Sequence, residues 1–141
     1  MPPRREIRMF EVVVSGWFAA SHQLRLPDGS LEPMHGHNWK VEVVVRGPRL
    51  DGIGVLVDFT RLQPLVREEL GELDHRHLND LSAFAERNPS AEYVAVHLAE
   101  RIEARLPRDA GADAETHVFC VSVEEAPGCV ARYYPRGGQT L

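Results

Sequence analysis

Residues 32–46 read Glu32-Pro33-Met34-His35-Gly36-His37-Asn38-Trp39-Lys40-Val41-Glu42-Val43-Val44-Val45-Arg46. From Asn38 to Arg46 apolar and polar residues alternate: Trp39, Val41, Val43 and Val45 share one face, Lys40, Glu42 and Arg46 the other, and only Val44 is out of turn. A period of two over that length defines a strand with one face on a core. Carried back without a bulge, the same parity sets His35 and His37 on the core-facing side. Two imidazoles on one face of an extended segment make half of a metal site at a sheet edge. Glu32, three residues ahead, is a carboxylate available to whatever the metal binds.

Working outward, residues 6–18 read as a second strand in which Phe10, Val12, Val14 and Phe18 share a parity, with Val13 and Trp17 making the other face partly apolar. It runs into Ala19-Ala20-Ser21-His22, and Pro27-Asp28-Gly29 marks a loop over 25–34. Downstream, Gly47-Pro48, Asp51-Gly52 and Gly54 predict a hairpin connection to a third strand, Val55 to Phe59. Thr60-x-x-Gln63 predicts a capping box. It opens a helix whose buried stripe is Leu62, Leu65, Val66, Leu70 and Leu73, with Pro64 early enough to be tolerated. The stretch Leu73 to Asp80 is too polar to be core. Asn88 then caps a second helix with Pro89 at its first position and Val94, Leu98, Ile102 and Leu106 buried. Residues 107–115 are a loop.

A last hairpin joins Thr116–Glu125 to Val130–Tyr134 through Ala126-Pro127-Gly128. In its first strand His117, Phe119, Val121, Val123 and Glu125 share a parity, which singles out Glu125 over Glu124 as a carboxylate ending the core face. Strands in hairpins with the helices inserted together predict an α+β fold, an antiparallel sheet covered on one face, and not parallel βαβ winding.

The 141 residues suit one domain spanning 1–141, and 43% hydrophobic with 26% charged residues is ordinary for a globular chain. A net charge of -5, with no basic run, excludes a general nucleic-acid binder. Neither a signal-peptide h-region nor a run near the ~20 apolar residues of a membrane span occurs, so no membrane role and a cytoplasmic location are expected. In that reducing compartment Cys120 and Cys129 are expected as free thiols, even if they face each other across the hairpin. Neither belongs to a CxxC pair.

His22, at the end of the strand beside His35 and His37, supplies a third imidazole. Three neutral ligands and one open position are a common catalytic zinc arrangement. The same residues also suit separate hydrogen-bonded histidines, and spacing alone leaves both readings open. Asp74-His75 is either an acid/base pair, with the carboxylate fixing the imidazole tautomer, or a solvated turn. Glu125 either caps backbone or accepts two parallel ligand N–H groups, as a guanidine-like ring edge would offer.

Together, Phe18-Ala19-Ala20-Ser21-His22, His35-Gly36-His37-Asn38-Trp39, Val57-Asp58-Phe59, Leu73-Asp74-His75-x-x-Leu78-Asn79, Asn88-Pro89-Ser90-x-Glu92 and Val123-x-Glu125 resemble the 6-pyruvoyltetrahydropterin and 6-carboxytetrahydropterin synthase family, in the family's order and over nearly the whole chain. The resemblance implies a tunnelling fold: four-stranded sheets with two helices on one face, closed into an oligomeric barrel, a homohexamer of two trimers with active sites between subunits. It implies zinc on His22, His35 and His37, a 7,8-dihydroneopterin triphosphate substrate anchored by Glu125 in a pocket lined by Ser90 and Glu92, and Asp74 and His75 as catalytic acid/base pair.

The chain departs from the family where its cysteine precedes the HGH motif by four residues, a position held here by Leu31. Glu32 beside it gives Glu-x-x-His-Gly-His, similar to the subfamily whose product is the folate precursor 6-hydroxymethyl-7,8-dihydropterin. The implied activity is a zinc-dependent lyase cleaving the substrate side chain, with Glu32 as proton acceptor. The alternatives are a 6-carboxy- or 6-pyruvoyltetrahydropterin synthase of the queuosine or biopterin routes, and a zinc- and pterin-binding protein without catalysis.

Overall fold

The computed structural model describes residues 8–107 and 115–138. Strands β1 (Phe10–His22) and β2 (His35–Gly47) form an antiparallel pair of thirteen residues each, in unbroken register from Phe10 opposite Gly47 to His22 opposite His35. Helix α1 (Phe59–Gly71), the two-residue strand β3 (Arg76–His77), two short 3-10 turns and helix α2 (Ala91–Arg105) follow. Strands β4 (His117–Ala126) and β5 (Cys129–Tyr133) complete the sheet. The sheet order among the described residues is β3-β1-β2-β4-β5, antiparallel except for β3, which runs parallel to β1 beside Ala20 and Ser21.

Both helices lie on one face, α1 against β1 and α2 against β4 and β5. Trp39, Val41, Val43 and Val45 are wholly buried beneath the expected stripes, Leu62, Leu65, Val66 and Leu70 of α1 and Val94, Leu98 and Ile102 of α2. Among the described residues the other face is uncovered and partly apolar, with Trp17 65% and Val13 46% exposed. No helix among the described residues is long and apolar enough to cross a membrane.

The structure corrects several local expectations. Val55 to Phe59 is not a strand: Asp51 gathers the amides of Ile53 and Val55 into a turn, and Asp58 begins the helix. Asp58, not Thr60, is that cap, accepting from both the amide and the hydroxyl of Thr60. Ser90, not Asn88, caps α2 by accepting the Tyr93 amide at 3.2 Å. The polar stretch after α1 is pinned by two fully buried leucines, Leu73 and Leu78, and supplies β3, an edge strand the sequence pattern does not predict.

In β4, Val44 pairs with Cys120 and Val45 with Val118, so a bulge at Phe119 inverts the parity before Val121. Val118 therefore joins the core, and Phe119 meets Arg46 and Tyr134 on the uncovered face. Cys120 lies beside β2 while Cys129 opposes Ala126, and both are free thiols. The expected start of the first strand at residue 6 and most of the 107–115 loop lie outside the described residues.

One buried carboxylate couples the helices. Glu69 of α1 accepts from Arg101 Nε and Nη2 at 3.1 Å each and from Arg105 Nη1 at 2.7 Å. Burial pushes its carboxyl up, but the two guanidiniums outweigh it and hold it below the usual carboxylate range. A depressed folded-state pKa stabilises the fold above the unfolded value of about 4.3 and loses that contribution as pH falls through the folded value. Because the arginines are half exposed, Glu69→Gln is expected to cost about 2 kcal/mol at pH 7. Urea melts should show the difference from wild type shrinking below about pH 4.

Candidate metal centre

The antiparallel register is what assembles the site. His22 and His35 are directly opposed at the end of the β1–β2 ladder, and His37 is two residues along the same face of β2. Their rings meet edge to face, with centroids 4.6 Å (His22–His35), 4.8 Å (His35–His37) and 5.2 Å (His22–His37) apart. Trp39 forms the floor, stacked on Phe18 at 5.4 Å and edge-on to His22 at 4.9 Å, its indole N–H donating to the Ala20 carbonyl at 3.1 Å.

Backbone carbonyls orient two of the rings. His22 Nδ1 is 2.7 Å from the Pro89 carbonyl oxygen and His35 Nδ1 is 2.8 Å from that of Pro33. A carbonyl only accepts, so each Nδ1 donates and both Nε2 atoms turn inward. The two Nε2 atoms stand 3.0 Å apart. Two ring nitrogens this close share a proton or another cation between them. His37 Nε2 is buried without a hydrogen-bond partner among the described residues. Burial holds His37 below the ordinary imidazole range against the opposing pull of Glu125, with His22 and His35 reinforcing the depression.

Glu125 completes the cluster. Its Oε1 is 2.9 Å from His22 Nε2 and 3.5 Å from His37 Nε2, and one donor atom from each of the four residues lies within 4.8 Å of the others. Donors about 2.0–2.1 Å from a tetrahedral zinc stand roughly 3.3 Å apart, close to the 3.0, 2.9 and 3.5 Å of the His22–His35, His22–Glu125 and His37–Glu125 pairs. The residues fit a divalent cation.

Glu32 reaches the rim. Its carboxylate Oε1 accepts the Leu24 amide at 2.9 Å and lies 3.8 Å from His35 Nε2. The segment bearing that amide is clamped by two asparagines: Asn79 bonds the Gln23 amide and carbonyl, and Asn88 bonds those of Arg25. Asn79, Asn88 and the Pro89 carbonyl are supports that spacing does not reveal. Paired asparagine–backbone hydrogen bonds need the tertiary fold, and every residue has a carbonyl.

Asp74 and His75 stand apart from this cluster. Asp74 Oδ1 accepts the Ala19 amide at 2.8 Å, three residues and roughly 10 Å along β1 from His22. The two side chains are within 3.5 Å of each other, so the sequence pair is a spatial pair. His75 is 84% exposed and has the left-handed φ of 57°, held by its amide's 2.6 Å bond to the Ala19 carbonyl. A non-glycine residue there carries about 1–2 kcal/mol of strain. It borders an open groove of about 500 Å³ lined also by Ala19, Ser21, Gly36, His37 and Asn38. Ser90 is engaged as the α2 cap, and Glu92 is exposed in the first turn of that helix. Arg25 points its guanidinium at the Phe84 carbonyl, and Lys40 lies over Trp17.

Residues 11–136 match the family model for 6-pyruvoyl tetrahydropterin synthase. Dihydroneopterin monophosphate aldolase of Pyrococcus furiosus is 35% identical over 98 residues, 70% of this chain and 79% of that protein. 6-Carboxy-5,6,7,8-tetrahydropterin synthase of Bacillus subtilis is 32% identical over 136 residues, covering 92% and 88%. The solved structure of Caenorhabditis elegans 6-pyruvoyl tetrahydropterin synthase superposes with a TM-score of 0.75 at 22% identity, covering 91% of this chain and 96% of that one, and shows the shared tunnelling fold.

If the cluster holds a cation, zinc should raise the melting temperature of the metal-stripped protein by several degrees. His37→Ala should abolish that rise while melting no lower than wild type in the metal-free state, since the orphaned Nε2 is gone. Scanning calorimetry with and without zinc checks both.

Proposed function

Because the chain belongs to the 6-pyruvoyl tetrahydropterin synthase family, we propose that it is a zinc-dependent lyase that cleaves the side chain of phosphorylated 7,8-dihydroneopterin, the triphosphate foremost, to 6-hydroxymethyl-7,8-dihydropterin for folate synthesis. The observation that carries this reading is the carboxylate of Glu32, fixed by the Leu24 amide 3.8 Å from His35. The aldolase named for the Pyrococcus furiosus relative supports the same bond cleavage.

Zinc on His22, His35 and His37 would polarise the side-chain hydroxyls and make them more acidic. Glu32 takes the hydroxyl proton from the carbon next but one to the ring. That carbon becomes a carbonyl as its bond to the ring-proximal carbon breaks. The released electron pair stays on the ring-proximal carbon and picks up a proton, so the phosphorylated two-carbon fragment leaves as an aldehyde. Glu125 accepts the ring's N–H groups in a pocket bounded by Ser90 and Glu92, and Asp74 with His75 relays protons.

The last pair lies at another edge of the sheet, which supports active sites completed between copies of the chain. The exposed Trp17 and Val13 support packing of the uncovered face within a homohexameric barrel. A cytoplasmic location fits the free thiols.

The runner-up, 6-carboxytetrahydropterin synthase, draws on the longer match to the Bacillus subtilis protein. Leu31, an exposed apolar residue where that chemistry needs a thiolate, argues against it. Zinc-loaded protein should turn dihydroneopterin triphosphate into 6-hydroxymethyl-7,8-dihydropterin by product chromatography, and a parallel run with the monophosphate ranks the two substrates. Glu32→Gln should lower kcat by about 10²–10⁴ with zinc content unchanged. Carboxy- or pyruvoyl-tetrahydropterin as sole product would sink the reading.

A further inference from the structure

Glu125 occupies the bulge that ends β4. Glu124 pairs with Val130 and Ala126 with Cys129, leaving Glu125 without a cross-strand partner. An unpaired residue in a bulge can aim its side chain without disturbing the ladder. Here it continues the core-facing side of Val121 and Val123 and reaches the three imidazoles.

The contact is of a kind that needs explaining. The Pro89 carbonyl accepts from His22 Nδ1, which leaves Nε2 turned toward Glu125 Oε1 at 2.9 Å. The same oxygen stands 3.5 Å from the orphaned His37 Nε2. One ligand atom from each of four residues converges here, within 4.8 Å of the others, and three imidazoles with one carboxylate fill a four-coordinate site. A site so filled has no position left for substrate hydroxyls. The carboxylate is also a match for the paired N–H donors of a pterin ring edge, and those hydrogen bonds would compete with the metal for Oε1.

We propose that Glu125 closes the metal centre as a fourth ligand in the resting protein and is drawn off it by the ring N–H groups of the incoming pterin, so that recognition of the ring opens the metal to the side chain. The ligand half rests on geometry alone; the gating half rests on the pterin reading above. In this scheme a molecule with diol groups but no pterin ring meets a closed site. Ring selectivity then acts on the chemical step as well as on affinity.

The test uses the full-length protein reconstituted with cobalt(II) or zinc, with circular dichroism as the folding control. In chelator competition, Glu125→Ala and the near-isosteric Glu125→Gln should each bind zinc at least tenfold more weakly than wild type. Unchanged affinity in both would overturn the ligand role. The second probe is 6-methylpterin, which has the ring but no side-chain hydroxyls. It should change the cobalt d–d absorption of wild type and leave that of Glu125→Gln unaltered. Bound 6-methylpterin, measured by equilibrium dialysis, with no change in the wild-type cobalt spectrum would overturn the gating. Absence of any pterin binding would overturn the functional reading and the gating with it, while the chelator result still decides the ligand role.

Discussion

Trp39 is the side chain on which this architecture turns. Buried completely, stacked on Phe18, edge-on to His22 and His37 and hydrogen-bonded through its indole to Ala20, it links the β1–β2 register to the imidazole cluster. A sheet has a side-chain period of two, so a slip of one residue would send all of one strand's core residues to the uncovered face and separate His22 from His35. A buried indole whose N–H has one partner does not tolerate that slip, because the donor would lose its acceptor in an apolar setting. Core packing and the placement of the imidazoles are therefore one constraint.

The same strand pair made the site legible in the sequence. Alternation from Trp39 to Val45 is clean enough to carry parity back to His35, and the small residues before His22 extend β1 to a matching length. The signals that misled were of another kind. His117 and Val118, Phe119 and Cys120 are all compatible with either face, so the bulge at Phe119 leaves no trace in hydropathy. Apolar residues from Val55 to Phe59 looked like a strand, whereas the side chains of Asp51 and Asp58 claim the nearby backbone donors first. Both helix caps were shifted by two residues, since Asp58 and Thr60, or Asn88 and Ser90, are each acceptable caps by residue type. Only the fold decides between them.

The clamp around residues 23–25 explains how an irregular segment can hold the Glu32 carboxylate in place. Asn79 and Asn88 each give a side-chain amide to a backbone carbonyl and take a backbone N–H in return, substituting for a neighbouring strand. Those four hydrogen bonds hold the Leu24 amide in place, and that amide holds Glu32. The helices serve the same end from the other side: Glu69 ties α1 to α2, and the residue just before the α2 cap presents the carbonyl that orients His22.

Two of the groups that set the ring tautomers, the carbonyls of Pro33 and Pro89, belong to the main chain. Point mutation replaces side chains and leaves carbonyls behind, so this part of the centre persists through most single-codon changes at those positions. What such changes can disturb is chain direction, which proline restrains through its fixed φ. The orientation of these two rings therefore follows the course of the backbone, whatever side chains surround them.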